Sequence, residues 1–139
     1  MIVQMSTSAP GRRRIHERYV KAFRGFFPKE EMTKREFFKV LTLDIDFNVT
    51  GCIHAGTGSI NKCPVSFREI AKGIAEHNAY FIVLGHNHPS GNLFPSYLDV
   101  KLTEDMGKLA YLLKVGIMDH IILTSTDHYS FVEDNKLKV

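Results

Sequence analysis

The side chains best suited to chemistry are concentrated in one stretch, GHNHPSGNLFPSYLD (85–99). His86 and His88 stand two residues apart, and in a strand such residues project from the same side. That spacing suits two imidazoles on one metal ion. Pro89 and Gly91 end the strand and turn the chain, and Pro95–Ser96 has the character of a helix start. Asp99 falls in the first turn of that helix, from which its carboxylate can swing back towards the histidines. Two nitrogens and one oxygen leave the fourth position of a tetrahedral zinc ion for water, the arrangement of a catalytic rather than a structural site.

Each piece also has a plainer account. Ser96-x-x-Asp99 is a capping-box-like pattern, with Ser96 accepting a backbone N–H and Asp99 favoured by the helix dipole. A lone H-x-H at a strand end can be polar loop material. Capping and ligation are compatible, and the whole string is more specific than its parts.

The elements that must position these residues follow from periodicity. From Arg12 to Phe27, the residues Ile15, Tyr19, Phe23 and Phe27 recur at every fourth position and predict a helix, capped by Ser6 or Ser8. Residues 1–8 are expected to be extended or frayed. FFKVLTLDI (37–45) predicts a strand, with VTGCIHAG (49–56) as its hairpin partner after a short DFN turn. A helix is expected at 66–78, then a buried strand at 80–88. The next helix, 97–114, should turn Leu98, Leu102, Met106, Leu109 and Leu113 to one face, with Gly116 just past its end. Strands at 117–125 and 128–134 complete the chain. The pattern predicts an α/β fold, a single layered domain with a mixed sheet flanked by helices over residues 9–139.

Composition sets limits. The chain has 139 residues, 44% of them hydrophobic and 24% charged, ordinary for one globular domain. No apolar run approaches the roughly 20 residues of a membrane span, so no membrane partner is expected. The opening MIVQMSTSAPGRRR places its basic residues after the apolar stretch, unlike a secretory signal. Cys52 and Cys63, the two cysteines, imply no disulfide framework, and a cytoplasmic location is expected. The net charge of +3 is far from the basic signature of a dedicated nucleic-acid binder. The densest basic stretch, Arg12, Arg13 and Arg14 followed by Lys21 and Arg24, offers either weak phosphate contact or a solvated helix face.

His86-Asn87-His88, seven residues, Ser96, two residues, Asp99 matches the signature of the JAMM (MPN+) metalloproteases without a gap. The wording HNHPSG, then PS and D, resembles the bacterial RadC branch of that superfamily. Further resemblance lies in REFFKVLTLD (35–44), Gly56-Thr57, FREI (67–70) and DHIILTSTDHYSF (119–131). The helix-hairpin-helix segment that usually precedes this domain is not found in the sequence. Phe67 stands where the family has Pro, and Gly85 where a larger residue is usual.

The resemblance implies a JAMM/cytidine-deaminase-like architecture and a role for each matched position. His86, His88 and Asp99 match the zinc ligands, and Ser96 the residue that helps stabilise the tetrahedral oxyanion. Glu36 matches the catalytic Glu on the segment entering the first strand; spacing alone does not separate it from Glu30 or Glu31. Metal-assisted hydrolysis is then expected, with zinc lowering the pKa of a water towards about 7 and Glu36 carrying its proton to the leaving amine. The substrate would be a peptide or protein.

Three rival readings compete with this one. The triplet H-N-H only spells the name of the HNH nucleases, whose residues are dispersed. A zinc nucleobase deaminase needs H-x-E and P-C-x-x-C, which are absent. The serious alternative is a metal-bound JAMM domain acting as a DNA-associated, DNA-repair-related binding module, to which the arginines at 12–14 could contribute. Asp119-His120 resembles a family feature that either supports the site from behind or packs at a strand start. His16, His54, His77 and His128 are expected to be surface or satisfied residues. Cys52 and Cys63 are expected to be small buried or half-buried residues, not ligands. Gly56-Thr57 either lines the substrate groove or makes a turn.

Overall fold

Three of the four apolar residues spaced by four near the N-terminus, Tyr19, Phe23 and Phe27, are buried together. They are seen in a computed structural model that describes residues 9–59 and 63–137, with side chains from His16 onward. They lie along and just past helix α1 (Ala9–Phe26). The fourth, Ile15, has its side chain outside the described part, as do Arg12, Arg13 and Arg14; Ser6 and Ser8 lie outside the described residues altogether. Of the remaining basic residues, Lys21 is exposed, whereas Arg24 is tied down. Its guanidinium donates to the carbonyls of Thr124 at 2.6 Å and Asp127 at 2.9 Å.

After α1 come β1 (Glu36–Leu43), β2 (Val49–Gly58), α2 (Phe67–Glu76), β3 (Phe81–Asn87), α3 (Tyr97–Leu113), β4 (Gly116–Leu123) and β5 (His128–Ser130). The five strands form one mixed sheet in the order β2-β1-β3-β4-β5. Only β3 and β4 run parallel, joined by the crossover helix α3, while the other pairs are antiparallel. The expected α/β architecture is therefore present. Alternation along β3 divides the core between the two faces of the sheet. Val83 joins Tyr19, Phe23 and Phe27 under α1. Ile82 and Leu84 face Ile70 and Ile74 of α2 and Met106 of α3. Full burial of one such side chain stabilises the fold by roughly 1.5–3 kcal/mol.

Gly85 has a packing reason. A Cβ there would lie 2.5 Å from Cζ of Phe23, which is itself fully buried. Phe23 thus occupies the space that a larger residue at 85 would need. Phe67, in place of the expected Pro, is the first residue of α2 behind the cap Ser66, a position that uses no intrahelical N–H bond and so does not require proline.

Three expectations need correction. The inward face of α3 is centred on Asp99, Thr103, Met106 and Ala110; of the expected stripe, Met106 is buried and Leu102 and Leu109 pack half-buried on the core, whereas Leu98 is 68% exposed and Leu113 is exposed too. Asp99 and Thr103 face inward and make polar contacts there, Asp99 with His88 and the Ser96 N–H and Thr103 with His120. It ends on Lys114 in the left-handed region at φ 60, and Gly116 instead begins β4. The last strand covers only 128–130; Phe131 and Val132 are buried in turns, their apolar character reflecting packing and not strand pairing.

Gly56 neither turns nor lines the groove. It sits within β2, where a Cβ would lie 2.3 Å from the Pro64 carbonyl oxygen, and the adjacent Thr57 hydroxyl bonds His54 Nε2 at 2.8 Å. Among the described residues no helix is long and apolar enough to cross a membrane.

Candidate metal centre

The C-terminal end of β3 and the N-terminal end of α3 meet where the two parallel strands finish, the usual place for a site in an α/β sheet. His86 is the next-to-last residue of β3. His88 lies just past the strand, yet its N–H still bonds Leu123 of β4 at 2.9 Å, so both rings keep to one side. Asp99 enters from α3. His86 Nε2 and His88 Nε2 are 3.0 Å apart, and the Asp99 carboxylate lies 3.2 Å from the first and 3.1 Å from the second. Ligands 2.0–2.1 Å from a tetrahedral zinc stand about 3.3 Å from one another. The three groups therefore fit one ion with little adjustment. The cluster could hold a metal ion, and it is the only such group of His, Cys, Asp or Glu among the described residues.

The hydrogen bonds on the far side of each ring decide where its proton sits. His88 Nδ1 lies 2.6 Å from the Asn92 carbonyl oxygen, which only accepts, so Nδ1 carries hydrogen and the neutral ring turns a lone pair at Nε2 to the site. His86 is reached by a longer chain. The Thr103 hydroxyl donates to the Asp99 carbonyl at 2.8 Å and so accepts from His120 Nδ1 at 2.7 Å. Neutral His120 then has a bare Nε2, which accepts from His86 Nδ1 at 2.8 Å. His86 Nε2 is left with a lone pair. With both rings neutral, two independent routes aim two lone pairs at the same point beside a carboxylate; a proton on either ring turns that nitrogen into a donor to Asp99.

Burial drives the pKa of His120 well below the ordinary imidazole value, and the His86 charge pushes the same way, so the neutral form assumed in the chain is the favoured one. Phe131 stacks on its ring at 4.4 Å. Burial opposes protonation of His88 as well. The Asp99 and Asn92 bonds and the charges of Asp99 and Glu36 outweigh that, and its pKa rises. Asp99 goes the other way: despite burial, the bonds from His86, His88 and the Ser96 N–H hold it far below the usual carboxylate range.

Ser96 is the N-cap of α3, and the capping box is complete: its Oγ accepts from Asp99 N–H at 3.1 Å, and its own N–H donates to Asp99 Oδ2 at 2.8 Å. The cap reading and the ligand reading hold together, because the box fixes the carboxylate that faces the histidines. Glu36, at the first residue of β1, lines the same groove of about 760 Å³ as His86, His88, Ser96 and Asp99. Burial raises its pKa above the ordinary value, and the charges of both histidines work against the rise. Glu30 is exposed and Glu31 pairs with Arg35 at 3.2 Å; neither lines the groove.

Cys63 lines the groove wall with its thiol pushed up to about 12 by burial and by Glu36 and Asp99; Cys52 is pushed up to about 11, chiefly by burial. Both are free and half-buried. Asp119 is buried and accepts from the Ser130 hydroxyl at 2.6 Å and Val132 N–H at 3.0 Å, so it pins the chain after β5. Among the other histidines, His77 bonds Thr42 at 3.0 Å, and buried His16 packs on His128 at 4.7 Å. Sequence reasoning gave no role to Asn87 and Thr103. Asn87 did carry a signal, since a polar side chain inside an apolar strand needs partners.

Residues 17–137 match the family described as RadC-like JAB domain. The chain is 37% identical over 99 residues to a UPF0758 protein of Idiomarina loihiensis, covering 71% of this chain and 44% of that one. A UPF0758 protein of Ralstonia nicotianae is 36% identical over 103 residues, 74% of this chain and 46% of the relative. The UPF0758 protein YkfG of Escherichia coli is 36% identical over 104 residues, 75% of this chain and 66% of that protein. The chain thus spans about half the length of most of these relatives. It belongs to the RadC-like JAB domain family.

Proposed function

We propose that this domain is a zinc-dependent hydrolase of the metallopeptidase type, acting on a peptide or isopeptide bond. The observation that carries the reading is the convergence of His86 Nε2, His88 Nε2 and the Asp99 carboxylate, with the two nitrogens 3.0 Å apart and the carboxylate 3.2 and 3.1 Å from them. Two imidazole nitrogens this close beside a carboxylate are held together by a shared cation, either a proton or a metal ion. A zinc ion held there would act as a Lewis acid and lower the pKa of a water molecule towards about 7.

The chain's own groups supply the rest. Glu36 accepts the proton of the attacking water and returns it to the leaving amine. Ser96 Oγ accepts its cap bond from Asp99 N–H, which leaves the hydroxyl proton free to donate to an oxyanion; loss of one such donor costs about 3 kcal/mol in other hydrolases. Phe38, Val65, Phe67, Leu98 and Leu102 give the groove apolar walls, and among the described residues no Lys or Arg lines it. That lining suits a peptide better than a phosphate backbone.

The test is an unbiased peptide-cleavage profile of wild type against Glu36→Gln. The reading expects cleavage by wild type and a fall of about 10²–10⁴-fold in the variant, with zinc retained. The rival DNA-associated module expects nanomolar DNA affinity at physiological salt that depends on Arg12, Arg13 and Arg14 and is indifferent to Glu36.

A further inference from the structure

Asn87 is the one residue between the two histidines, and strand alternation sends its side chain to the opposite face of β3. It is fully buried. A buried amide requires partners, and it has three. Nδ2 donates to the carbonyls of Met32 at 2.8 Å and Arg35 at 2.9 Å, and Oδ1 accepts from the Phe37 N–H at 2.8 Å. The orientation is unambiguous, because a flipped amide would set its NH2 against an N–H and its oxygen against two carbonyls.

Arg35 and Phe37 flank Glu36. Their bonds to Asn87 fix the peptide planes on both sides of the Glu36 Cα, and with them the direction in which its side chain leaves the backbone. The geometry points to Asn87 as the positioning residue of the proposed general base, tying Glu36 to the strand that carries His86 and His88. The inference rests on the hydrolase reading and deepens it. Glu36 is the first residue of β1, and the segment 29–34 shortly before it consists of turns. Without the clamp this end of β1 is held by its pairing with β2, Glu36 opposite Gly58, before the pairing with β3 begins at Phe38, and displacement of a reacting group by about 1 Å can cost about 100-fold.

Acetohydroxamate gives a readout that needs no substrate. It chelates zinc through two oxygens and hands its hydroxyl proton to a neighbouring carboxylate, so its affinity reports whether a base is in place. Its binding would be measured by calorimetry on zinc-loaded wild type, Asn87→Ala, Glu36→Gln and the double variant, beside zinc content and Phe37 amide exchange. We expect each single variant to weaken binding about tenfold, within the range for outer partners of a metal site. The double variant should bind no more weakly than Glu36→Gln alone. Zinc content should be unchanged, and the Phe37 amide should exchange faster in Asn87→Ala. Should Asn87→Ala fail to fold, Asn87→Ser takes its place in the same cycle. Losses that multiply in the double variant, or zinc lost from the Asn87 variant alone, overturn the positioning role and leave the hydrolase reading standing. Wild type that holds no zinc overturns the reading itself, and the inference with it.

Discussion

His120 Nε2 lies 2.8 Å from His86 Nδ1, so a second imidazole holds the outer nitrogen of a candidate ligand where a carboxylate, carbonyl or water is usual. The consequence is directional. Thr103 and His120 pass one set of hydrogen bonds from His86 back to the Asp99 carbonyl, so the main chain of one candidate ligand fixes the ring of another.

His120→Phe should keep the packing against Phe131 and remove the acceptor. Zinc affinity should then fall about 10–100-fold, the usual effect of losing such a partner. His120→Gln, which retains an acceptor, should lose less. Competition with a chromophoric chelator measures both; a Phe variant that binds zinc as tightly as wild type would remove His120 from the site.

A second prediction concerns the close fit of α1 on the sheet. Gly85→Ala places a methyl against the buried Phe23 ring, whose Cζ lies 2.5 Å from the ideal Cβ position. Overpacking of this kind costs about 1–3 kcal/mol. Phe23→Leu combined with Gly85→Ala should be more stable than the sum of the two single changes predicts. Denaturant unfolding checks it, and strict additivity would mean that the two positions do not compete for the same space.

The pH dependence follows from His88. Its pKa is raised above 6.5, so in the metal-free protein its contribution is fully present below the unfolded value and is lost as pH rises through the folded one. Zinc needs the neutral ring. The gain in melting temperature on adding zinc should therefore be large in mildly alkaline solution and shrink as pH falls through a point above 6.5. Melting curves with zinc and with chelator would show it, and a gain that does not change with pH would contradict it.

Much of the candidate site was legible because its parts are close in sequence. His86 and His88 are two residues apart on a strand, and Ser96 and Asp99 three apart at a helix start, so local periodicity formed each pair, while the family resemblance joined the pairs and added Glu36. Asn87, Thr103 and His120 were given no firm role because their partners are distant: Phe37 is 50 residues from Asn87, and His120 is 34 from His86. The same limit explains α3. Its leucines mark a genuine helical period, but the burial of Asp99 and Thr103 turns that face partly outward, and only the assembled sheet reveals it. Gly85 departs from the family pattern for a reason carried by Phe23, 62 positions earlier.

The central claim is that His86, His88 and Asp99 hold one zinc ion. Elemental analysis of purified protein tests it most directly, comparing wild type with His86→Ala/His88→Ala, each checked for folding by circular dichroism. The account predicts about one zinc per chain in wild type and none in a double variant that remains folded, since none of the three ligands belongs to the apolar core on either face of the sheet. Equal zinc in the two proteins would contradict it.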